Sequence, residues 1–573
     1  MAAVRAAHIL RRVPRLIEIR LLDGPNIYRL EPAVKLEVAV GRRRTWYGQR
    51  MPGRHAVVRL GRAVPAREAP RGVAELAGWV RRIHRRALGR RVPVAIHRSS
   101  DPGHWIVAYP WTLSEQAELI ARAALRLTDE PSERWFERAC RRVADAGGEP
   151  PIWIRDAERS IRLISVSGTN GKSTTARMLT HICRVSGLRV GTTTTDGVLV
   201  DEELVEAGDY SGPAGARAVL AQPKLDLGVL ETARGGILLR GLGYESNEAS
   251  ILTNISADHL DLQGVHTLPE LAEVKSVITR VTRPTGAVVL NADDPLVAGV
   301  ARYVRAPVFW FSVRERPDRR VRDHLERGGT AFVLENDVIT ERVGTRRHEI
   351  IPVADVASTL FGLARHNVAN ALAAVGGARA LGVTRDMVAA GLRDFRSTAD
   401  HMPGRLNLYV KADRLALVDY AHNEAGLEAV VGTAERLIGA RGKRSARMTV
   451  IVGTAGDRPD DSLRAIGQIA GRHGDKVVIK ESLTFLRGRT RAGVIGELVA
   501  GARSAGVAAS AVPVYVDELT ALQAELAREE TGPEVVLLMC HEQRSEVRDW
   551  LESSGFAPVQ QADDIDQFRA ARL

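Results

Sequence analysis

The chain has 573 residues and a formal net charge of +12, and a length of this size predicts about three or four domains. It has no apolar run of about eighteen residues, and arginines interrupt the apolar start of the chain, so we expect neither a membrane span nor a signal peptide. The three scattered cysteines argue against a disulfide framework and a zinc site, which favours a reducing, cytoplasmic compartment.

The positive charge alone does not indicate a nucleic-acid-binding protein. Arginine is spread along the chain, aromatic residues make up only 5% of it, and no RNA-binding motif is present. An acidic partner, a polyphosphate ligand or an arginine-rich composition explains the charge equally well. Of the 81 basic residues, 73 are arginines and only eight are lysines. Each lysine is therefore a candidate for a position where an amine is used chemically.

Residues 1–150 predict a small α+β domain without a catalytic signature. A strand at 17–22 leads into a turn at Asp23-Gly24-Pro25-Asn26, and helices are predicted near 73–88 and 113–127. The glycine- and proline-containing segment 146–151 is predicted to link this domain to the next one.

Residues 156–400 repeat a strand, turn and helix pattern that predicts an α/β domain with a mostly parallel sheet. Buried parallel strands form continuous apolar runs, and helices between them cover both faces of the sheet. One helix is predicted at 268–281. The strands are predicted at 161–167, 225–230, 249–255, 286–290 and 307–312.

Residues 401–573 predict a second α/β domain, in which strands again alternate with helices. Two consecutive domains of this kind predict a binding site in the cleft between them. The strands are predicted at 415–418, 449–452, 476–479, 512–516 and 535–539.

A glycine-rich turn between the strand 161–167 and the following helix predicts a phosphate-binding loop. Its residues are Gly168, Thr169, Asn170, Gly171, Lys172, Ser173 and Thr174. Backbone N–H groups of such a turn point at an anion, the lysine reaches the outer phosphates, and the hydroxyl binds Mg²⁺. A plain strand-to-helix turn is the alternative, but a Lys-Ser-Thr-Thr run at a helix start has no structural need.

Several residues follow the predicted strands at their carboxyl ends, where functional groups of open α/β sheets collect. Glu231 could bind Mg²⁺ or lie beside a helix start, and Asp258, His259 and Asp261 crowd one turn after the next strand. Lys275 lies in an apolar helical stretch, either with a chemical role or extended to the surface.

Further polar residues follow along the chain. Asn291 ends another strand and either contacts an adenine or starts the next helix. It is followed by His366, Asn370, Arg405 and Asp419.

These motifs, in this order and spacing, resemble those of the Mur ligase superfamily, which includes peptidoglycan amino-acid ligases and folylpolyglutamate synthetase. The resemblance covers about residues 156–573. Within the superfamily it is strongest to the Mur-like half of cyanophycin synthetase. The segments that carry this likeness are 231–238, 274–277, 456–458 and 486–489.

Residues 1–150 are similar to the N-terminal domain of cyanophycin synthetase, through the strand 17–22 and Gly24-Pro25-Asn26. The ATP-grasp domain that lies between the two halves of that family is missing here. Some relatives carry a peptidase-like HxxEH pattern, which the helix at 83–88 lacks, so no peptidase activity is expected. Because one of two ligation activities is absent, alternating polymerisation by this chain alone is not expected.

The resemblance implies a P-loop NTPase-like central domain, a Rossmann-like C-terminal domain and an ATP-dependent carboxylate–amine ligase. Such an enzyme forms an acyl phosphate and joins an amino acid or another amine to an acidic acceptor, releasing ADP and phosphate. It also implies two Mg²⁺ ions and a homo-oligomer. A catalytically inactive ATP-binding scaffold or regulator is the alternative.

The resemblance also implies roles for individual residues. Lys172 would hold the β- and γ-phosphates, Ser173 and Glu231 one Mg²⁺, and His259 and a carbamylated Lys275 the second. Asn291, His366 and Asn370 would lie at the adenine side. Arg405 and Asp419 would reach the phosphate and ribose, and Arg487 and Arg489 would bind the amine substrate unless they are ordinary surface arginines.

Overall fold

The computed structural model describes residues 13–41, 59–258, 260–399, 401–439, 446–456, 458–482, 484, 486–528 and 532–570. These residues contain three β-sheets of five, eleven and seven strands. We name the parts built on them the N-terminal module (residues 13–145), the central module (162–394) and the C-terminal module (405–570). None of the described helices is both long enough and apolar enough to cross a membrane.

The N-terminal module is an antiparallel sheet in the order β1-β2-β5-β4-β3, packed against helices. The predicted strand and both predicted helices are confirmed with slightly longer bounds. Its elements are β1 (Arg15–Leu22), β2 (Ala33–Ala39), β3 (Ala63–Val64), α1 (Arg71–Leu88), β4 (Ala95–Arg98), β5 (His104–Pro110), α2 (Ser114–Asp129) and α3 (Glu133–Asp145).

The central module is built on an eleven-stranded sheet in the order β16-β15-β14-β13-β12-β11-β6-β10-β7-β8-β9. Its strands are β6 (Arg162–Ser167), β7 (Val190–Thr193), β8 (Gly197–Val200), β9 (Glu203–Ala207), β10 (Leu227–Glu231), β11 (Asn247–Leu252), β12 (Thr282–Asn291), β13 (Val308–Ser312), β14 (Thr330–Glu335), β15 (Val338–Val343) and β16 (Arg346–Pro352). Its helices are α4 (Lys172–Val185), α5 (Pro213–Leu220), α6 (Arg234–Leu239), α7 (Leu268–Lys275), α8 (Val277–Arg280), α9 (Pro295–Val300), α10 (Arg319–Glu326), α11 (Arg365–Ala380) and α12 (Arg385–Asp394).

The middle of this sheet is parallel, as the apolar runs predicted, and antiparallel hairpins extend both of its edges. The predicted helical stretch at 268–281 is helical, but it divides at Ser276 into α7 and α8. The Ser276 hydroxyl donates to the Glu273 carbonyl at 2.8 Å, and the β-branched residues Val277, Ile278 and Thr279 follow. A side chain that bonds to its own helix and a β-branched run both disfavour continuation.

The C-terminal module is a seven-stranded sheet in the order β21-β20-β19-β22-β18-β17-β23, parallel from β21 to β18. Its elements are β17 (Asn407–Lys411), β18 (Arg414–Asp419), α13 (Glu424–Ile438), β19 (Arg447–Val452), α14 (Asp460–His473), β20 (Lys476–Lys480), α15 (Arg491–Ser504), β21 (Val514–Tyr515), α16 (Glu518–Leu526), β22 (Glu534–Met539), α17 (Arg544–Ser553), β23 (Ala557–Pro558) and α18 (Ala562–Ala570). Leu360 and Ala364, which precede α11, are buried in the core of this module.

The N-terminal module docks on the central module through the turn at 23–26. The Asp23 amide donates to the Arg240 carbonyl at 2.7 Å, and the Leu242 amide donates to the Pro25 carbonyl at 2.8 Å. A Cβ on Gly24 would lie 1.8 Å from the Leu242 carbonyl oxygen, so only glycine allows this approach. Buried Asn26 holds the turn, because its side chain accepts from the Tyr28 amide at 2.9 Å.

We predict that Gly24→Ala destabilises the protein by about 1–3 kcal/mol, because the added methyl group forces the two backbones apart. Gly78→Ala is the matched control: Gly78 lies inside α1 with nothing within 4 Å of its Cβ position. Alanine there removes a helix-weakening glycine and stabilises by up to about 1 kcal/mol. Midpoints of thermal unfolding report both changes. Equal midpoints for the two variants would show that the contact with Leu242 does not hold the modules together.

Candidate active site

Two glycines shape the loop between β6 and α4. Gly168 has φ of +148° and Gly171 has φ of +82°, values that residues with a side chain rarely adopt. A Cβ on Gly168 would lie 1.9 Å from Thr253 Oγ1, and one on Gly171 would lie 2.1 Å from Asn370 Oδ1. The loop is therefore pressed against neighbouring elements. It presents the N-terminus of α4 to a cavity, as an anion-binding loop requires.

This cavity has a volume of about 580 Å³ and lies between the central and C-terminal modules. Of the predicted site residues, Gly168 and Arg489 are not among those that line it, and His259 lies outside the described residues. The predicted residues that line it are Thr169, Asn170, Gly171, Lys172, Ser173, Thr174, Glu231, Lys275, Asn291, His366, Asn370, Arg405, Asp419 and Arg487.

Glu231 ends β10 and is 2% exposed. Its Oε2 accepts a hydrogen bond from Ser173 Oγ at 2.8 Å, whereas its Oε1 is buried and has no hydrogen-bond partner among the described residues. Burial raises the pKa of Glu231, and the nearby Lys172 ammonium opposes this shift. A hydroxyl and a carboxylate with one oxygen to spare, beside a phosphate loop, match the oxygen ligands that Mg²⁺ prefers.

Lys275, the last residue of α7, is buried, so the alternative of a side chain extended to the surface is wrong. Its Nζ donates to the Gly168 carbonyl at 2.7 Å. Burial, helped by repulsion from Lys172, lowers the pKa of Lys275 to about 7. A substantial fraction of the Lys275 side chain is therefore a neutral amine near neutral pH, and a neutral amine is nucleophilic.

Asp258 faces the C-terminal module across the cavity. Arg458 Nη1 lies 3.1 Å from its Oδ1, and His422 Nε2 lies 3.6 Å from its Oδ2. Arg458 is itself held, since its Nε donates to Thr454 Oγ1 at 3.0 Å. The loop after β11 is thereby tied to the opposite wall of the cavity.

A second set of polar groups lies between β12 and α11. Burial lowers the pKa of His366 to about 4, so its ring is neutral, and its buried Nδ1 has no hydrogen-bond partner in the described part of the chain. Asn370 Nδ2 donates to Asn367 Oδ1 at 3.0 Å. Asn291 braces the end of β12, because its Nδ2 donates to the Thr253 carbonyl at 2.8 Å. Their contact with an adenine stays a prediction.

The C-terminal module supplies Arg405 and Asp419. The Arg405 guanidinium lies over the Tyr420 ring at 4.3 Å, and its Nη2 is 3.5 Å from Ser173 Oγ. Asp419 accepts from the Leu406 amide at 2.8 Å and from the Ala421 amide at 2.7 Å, so it orders the loop that carries Arg405 and Tyr420. Burial raises the pKa of Asp419.

Two polar contacts join the modules at the rim of the cavity. Asn170 and Asn423 exchange two amide hydrogen bonds of 3.1 Å each. Asp196 lies between Arg544 of the C-terminal module, at 2.7 Å, and Arg177 of α4, at 3.0 Å. These contacts tie the phosphate loop and the helix that follows it to the C-terminal module.

The two arginines predicted to bind the amine differ in position. Arg487 lines the cavity, whereas Arg489 pairs with Asp460. His541 also lines the cavity and was missed, although it is the second residue after the strand β22 and could have been found from its strand-end position. Further cavity residues lie in the segments that carry the family resemblance but were given no role: Arg234, Tyr420, His422 and Arg458.

Comparison with known proteins identifies the fold family. Residues 166–378 match the model of the Mur ligase middle domain. The chain is 37% identical over 421 residues to a cyanophycin synthetase of Crocosphaera subtropica, which covers 73% of this chain and 46% of that one. The chain therefore contains a Mur ligase middle domain, and it is similar to cyanophycin synthetase. The Mur ligases are ATP-dependent amide ligases.

Two further proteins are similar to parts of this chain. A cyanophycin synthetase of Synechocystis sp. is 40% identical over 378 residues, which is 66% of this chain and 42% of that one. The chain thus spans less than half the length of these two curated relatives. A solved folylpolyglutamate synthase/dihydrofolate synthase with Mn, AMPPNP and L-glutamate bound is 19% identical with a TM-score of 0.48, covering 68% of this chain and 89% of that one.

We predict that Gly171→Ala lowers the affinity for ADP at least tenfold, because the methyl group displaces Asn370 and the loop with it. Gly187→Ala is the matched control, since Gly187 has φ of +90° with nothing within 4 Å of its Cβ position. Both variants carry a strain of about 1–2 kcal/mol in the backbone, but only Gly171→Ala collides. Titration with a fluorescent ADP analogue measures the affinities, and equal losses in both variants would contradict the prediction.

Proposed function

We propose that this chain is a Mur-type, ATP-dependent carboxylate–amine ligase that joins an amino acid or another amine to an acidic acceptor through an acyl phosphate. The observation that carries the proposal is one cavity between the central and C-terminal modules. It contains a phosphate loop, a buried carboxylate with one oxygen to spare and a buried amine. We also propose that residues 1–150, 156–400 and 401–573 are three domains, the last two enclosing the site.

The reaction has two steps. A carboxylate oxygen of the acceptor attacks the γ-phosphorus of ATP, the bond to the bridging oxygen breaks, and ADP leaves. The amine nitrogen then attacks the acyl carbon, phosphate leaves with the carbon–oxygen bond electrons, and the nitrogen loses a proton as the amide forms. Phosphoryl transfer of this kind depends on alignment and on neutralisation of charge more than on covalent chemistry.

The chain supplies cations from both sides of the cavity for this purpose. Lys172 begins α4, and its Nζ is 2.9 Å from the Thr169 carbonyl, so two of its three N–H groups remain for the phosphates. Arg405 approaches the same helix start from the C-terminal module, at 3.5 Å from Ser173 Oγ. A phosphate group at this helix start would thus meet charge from both modules, and the contact between Asn170 and Asn423 would shield the acyl phosphate from water on that side.

Ser173 and Glu231 fit one Mg²⁺, and we propose His259 and Lys275 for a second. Bound there, Mg²⁺ would neutralise phosphate charge. We further propose that the neutral Lys275 amine attacks the carbon of CO₂ and loses a proton, giving a carbamate. A carbamate provides an oxygen anion where lysine alone has none, and arginine cannot form it. The lowered pKa of Lys275, about 7, supports this proposal.

The amine substrate would bind at the C-terminal side of the cavity. Arg487 lines this side together with Arg458 and Ser482, whereas Arg489 remains a prediction that its pairing with Asp460 does not support. Mur ligases act on amino acids and peptides, and the acidic acceptor, a cytoplasmic location and a homo-oligomer remain parts of the proposal.

An inactive ATP-binding scaffold is the second candidate, and a substrate screen separates it from a ligase. Pairs of amino acids and acidic dipeptides are incubated with ATP and Mg²⁺, and phosphate release and product masses are recorded. We expect ADP release only when a carboxylate and an amine are both present, with a new amide mass. ADP binding without turnover would favour the scaffold, and steady hydrolysis of ATP alone without an amide would favour an ATPase switch.

We predict that Lys172→Ala reduces ADP formation at least a hundredfold, because the remaining groups cannot replace a cation at the outer phosphates. Lys224→Ala is the control, because Lys224 is an exposed lysine that does not line the cavity. The rate of ADP formation is measured with the substrate pair found above. Turnover of Lys172→Ala at the rate of the control would contradict the assignment of residues 168–174 as a phosphate-binding loop.

We predict that Lys275→Ala loses at least nine-tenths of the activity and partly recovers it when formate or acetate is added, because a small carboxylate can take the place of the carbamate. In the unaltered protein, carbon-13 bicarbonate should give one carbamate resonance that Lys275→Arg lacks. Full activity of Lys275→Ala without added carboxylate would exclude the carbamate role.

A further inference from the structure

The N-terminal module contacts the central module next to the helix that carries Lys275. Ser100 Oγ, in the loop between β4 and β5, donates to Glu270 Oε1 of α7. Asp101 Oδ1 in the same loop lies 3.0 Å from His266 Nε2, and His266 Nδ1 lies 2.8 Å from Asp261 Oδ1. We name these five residues the α7 bridge.

The α7 bridge contacts the first turn of α7. Glu270 is 1% exposed, and its Oε2 accepts from the His266 amide at 2.9 Å and from the Thr267 amide at 3.0 Å. Thr267 completes the capping box by accepting from the Glu270 amide. The hydroxyl of Ser100 therefore contacts the carboxylate that caps the start of α7. The helix start and the N-terminal module share one hydrogen-bond network.

A second contact fixes the same helix one turn further along. Glu273 Oε1 accepts from the Gly61 amide of the N-terminal module at 3.0 Å. Ile27 and Leu60 of the N-terminal module are buried in one apolar cluster with Leu271 and Val274 of α7. Two faces of the helix are thus held by residues from outside the central module.

The other end of α7 faces the cavity. Lys275 is its last residue, five positions after Glu270, and its Nζ lies 2.7 Å from the Gly168 carbonyl. Five residues of α-helix span about 7.5 Å, and a helix this short moves as a rigid body. A shift of its start would therefore displace the Lys275 amine from the phosphate loop by a similar distance.

The loop before α7 is held in the same way. Asp261 has φ of +63°, an unfavourable backbone for aspartate, and its carboxylate is fixed by His266. This loop begins at Asp258, which lines the cavity. The hydrogen bonds to Asp101 and Asp261 raise the pKa of His266 to about 9, so the ring is an imidazolium that donates to both carboxylates at neutral pH.

We infer that the N-terminal module is a structural part of the ligase site, in which Ser100 and Asp101 position the segment 258–275 through Glu270 and His266. The geometry of this inference rests on the contacts described above. Its consequence for catalysis rests on the proposed function. Ser100 and Asp101 are positioning residues, since they touch neither the cavity nor the phosphate loop. The turn at 23–26 and the α7 bridge are then two parts of one docking surface.

Hydrogen–deuterium exchange of the full chain tests the geometry without any substrate. We expect Asp101→Asn to speed exchange of amides in 258–275 at least fivefold, because the imidazolium loses a charged partner, and Ser100→Ala to speed it at least twofold. Asp129→Asn, an exposed aspartate at the end of α2, is the control and should leave this segment unchanged. Faster exchange confined to 99–104, with 258–275 at the control rate, would overturn the inference.

Kinetics of the same variants test the catalytic meaning. With the substrate pair from the screen, we expect Asp101→Asn to lower kcat at least tenfold while the KM for ATP stays within twofold, since the phosphate loop itself is untouched. Equal loss in kcat and in ATP affinity would indicate general destabilisation and overturn the positioning role. If the unaltered protein has no ligase turnover, the exchange result still decides the geometry, so the two failures are distinguishable.

Discussion

The close contact of Gly168 with Thr253 and of Gly171 with Asn370 fixes the phosphate loop relative to β11 and α11. Because the loop has no room to move, the start of α4, the Ser173 hydroxyl and the Lys172 amine have defined positions at the carboxyl end of β6. The remaining groups of the cavity are placed against this loop: Lys275 by its bond to the Gly168 carbonyl and Glu231 by its bond to Ser173.

Burial determines the chemistry of these groups as much as their positions do. Removal from water raises the pKa of Glu231 and Asp419 and lowers that of Lys275, because it disfavours each charged form. A bound nucleotide with its metal ions would offset these pKa shifts, because it would place charges of opposite sign next to the buried groups. The site therefore suits a charged ligand. The contacts of Asn170 and Asp196 with the C-terminal module show how that module completes the site.

The parallel strands and the phosphate loop could be predicted because their signals are local. A buried strand is a continuous apolar run, and the loop is a glycine pattern between a strand and a helix. The hairpins β14–β16 were missed although β14 has a short apolar run at 331–334, because β15 and β16 are rich in polar and charged residues. The split of the helix at Ser276 was missed because it depends on a side-chain bond to Glu273. Lys275 was found from its rarity and its apolar helical surroundings, whereas its full burial, which lowers its pKa, follows from the fold.

The docking of the N-terminal module was not predictable in the same way. Its contacts join residues far apart in sequence, such as Asp101 with His266 and Gly61 with Glu273, and neither member of each pair belongs to a motif. Gly24-Pro25-Asn26 was recognised as a turn, but its partner at 240–242 could be known only from the fold. The candidate site could therefore be predicted from residues that follow the strands. The contacts by which the N-terminal module supports it are visible only in the structure.

Oxygen-18 transfer from the acceptor carboxylate tests the central claim most directly. With both carboxylate oxygens labelled, formation of an acyl phosphate and its attack by the amine leave one labelled oxygen in each phosphate released. We predict phosphate that is two mass units heavier, in equal amount to the amide formed. Release of unlabelled phosphate in unlabelled water, with ADP formed at the same rate, would contradict the account, because the acceptor would then never have been phosphorylated.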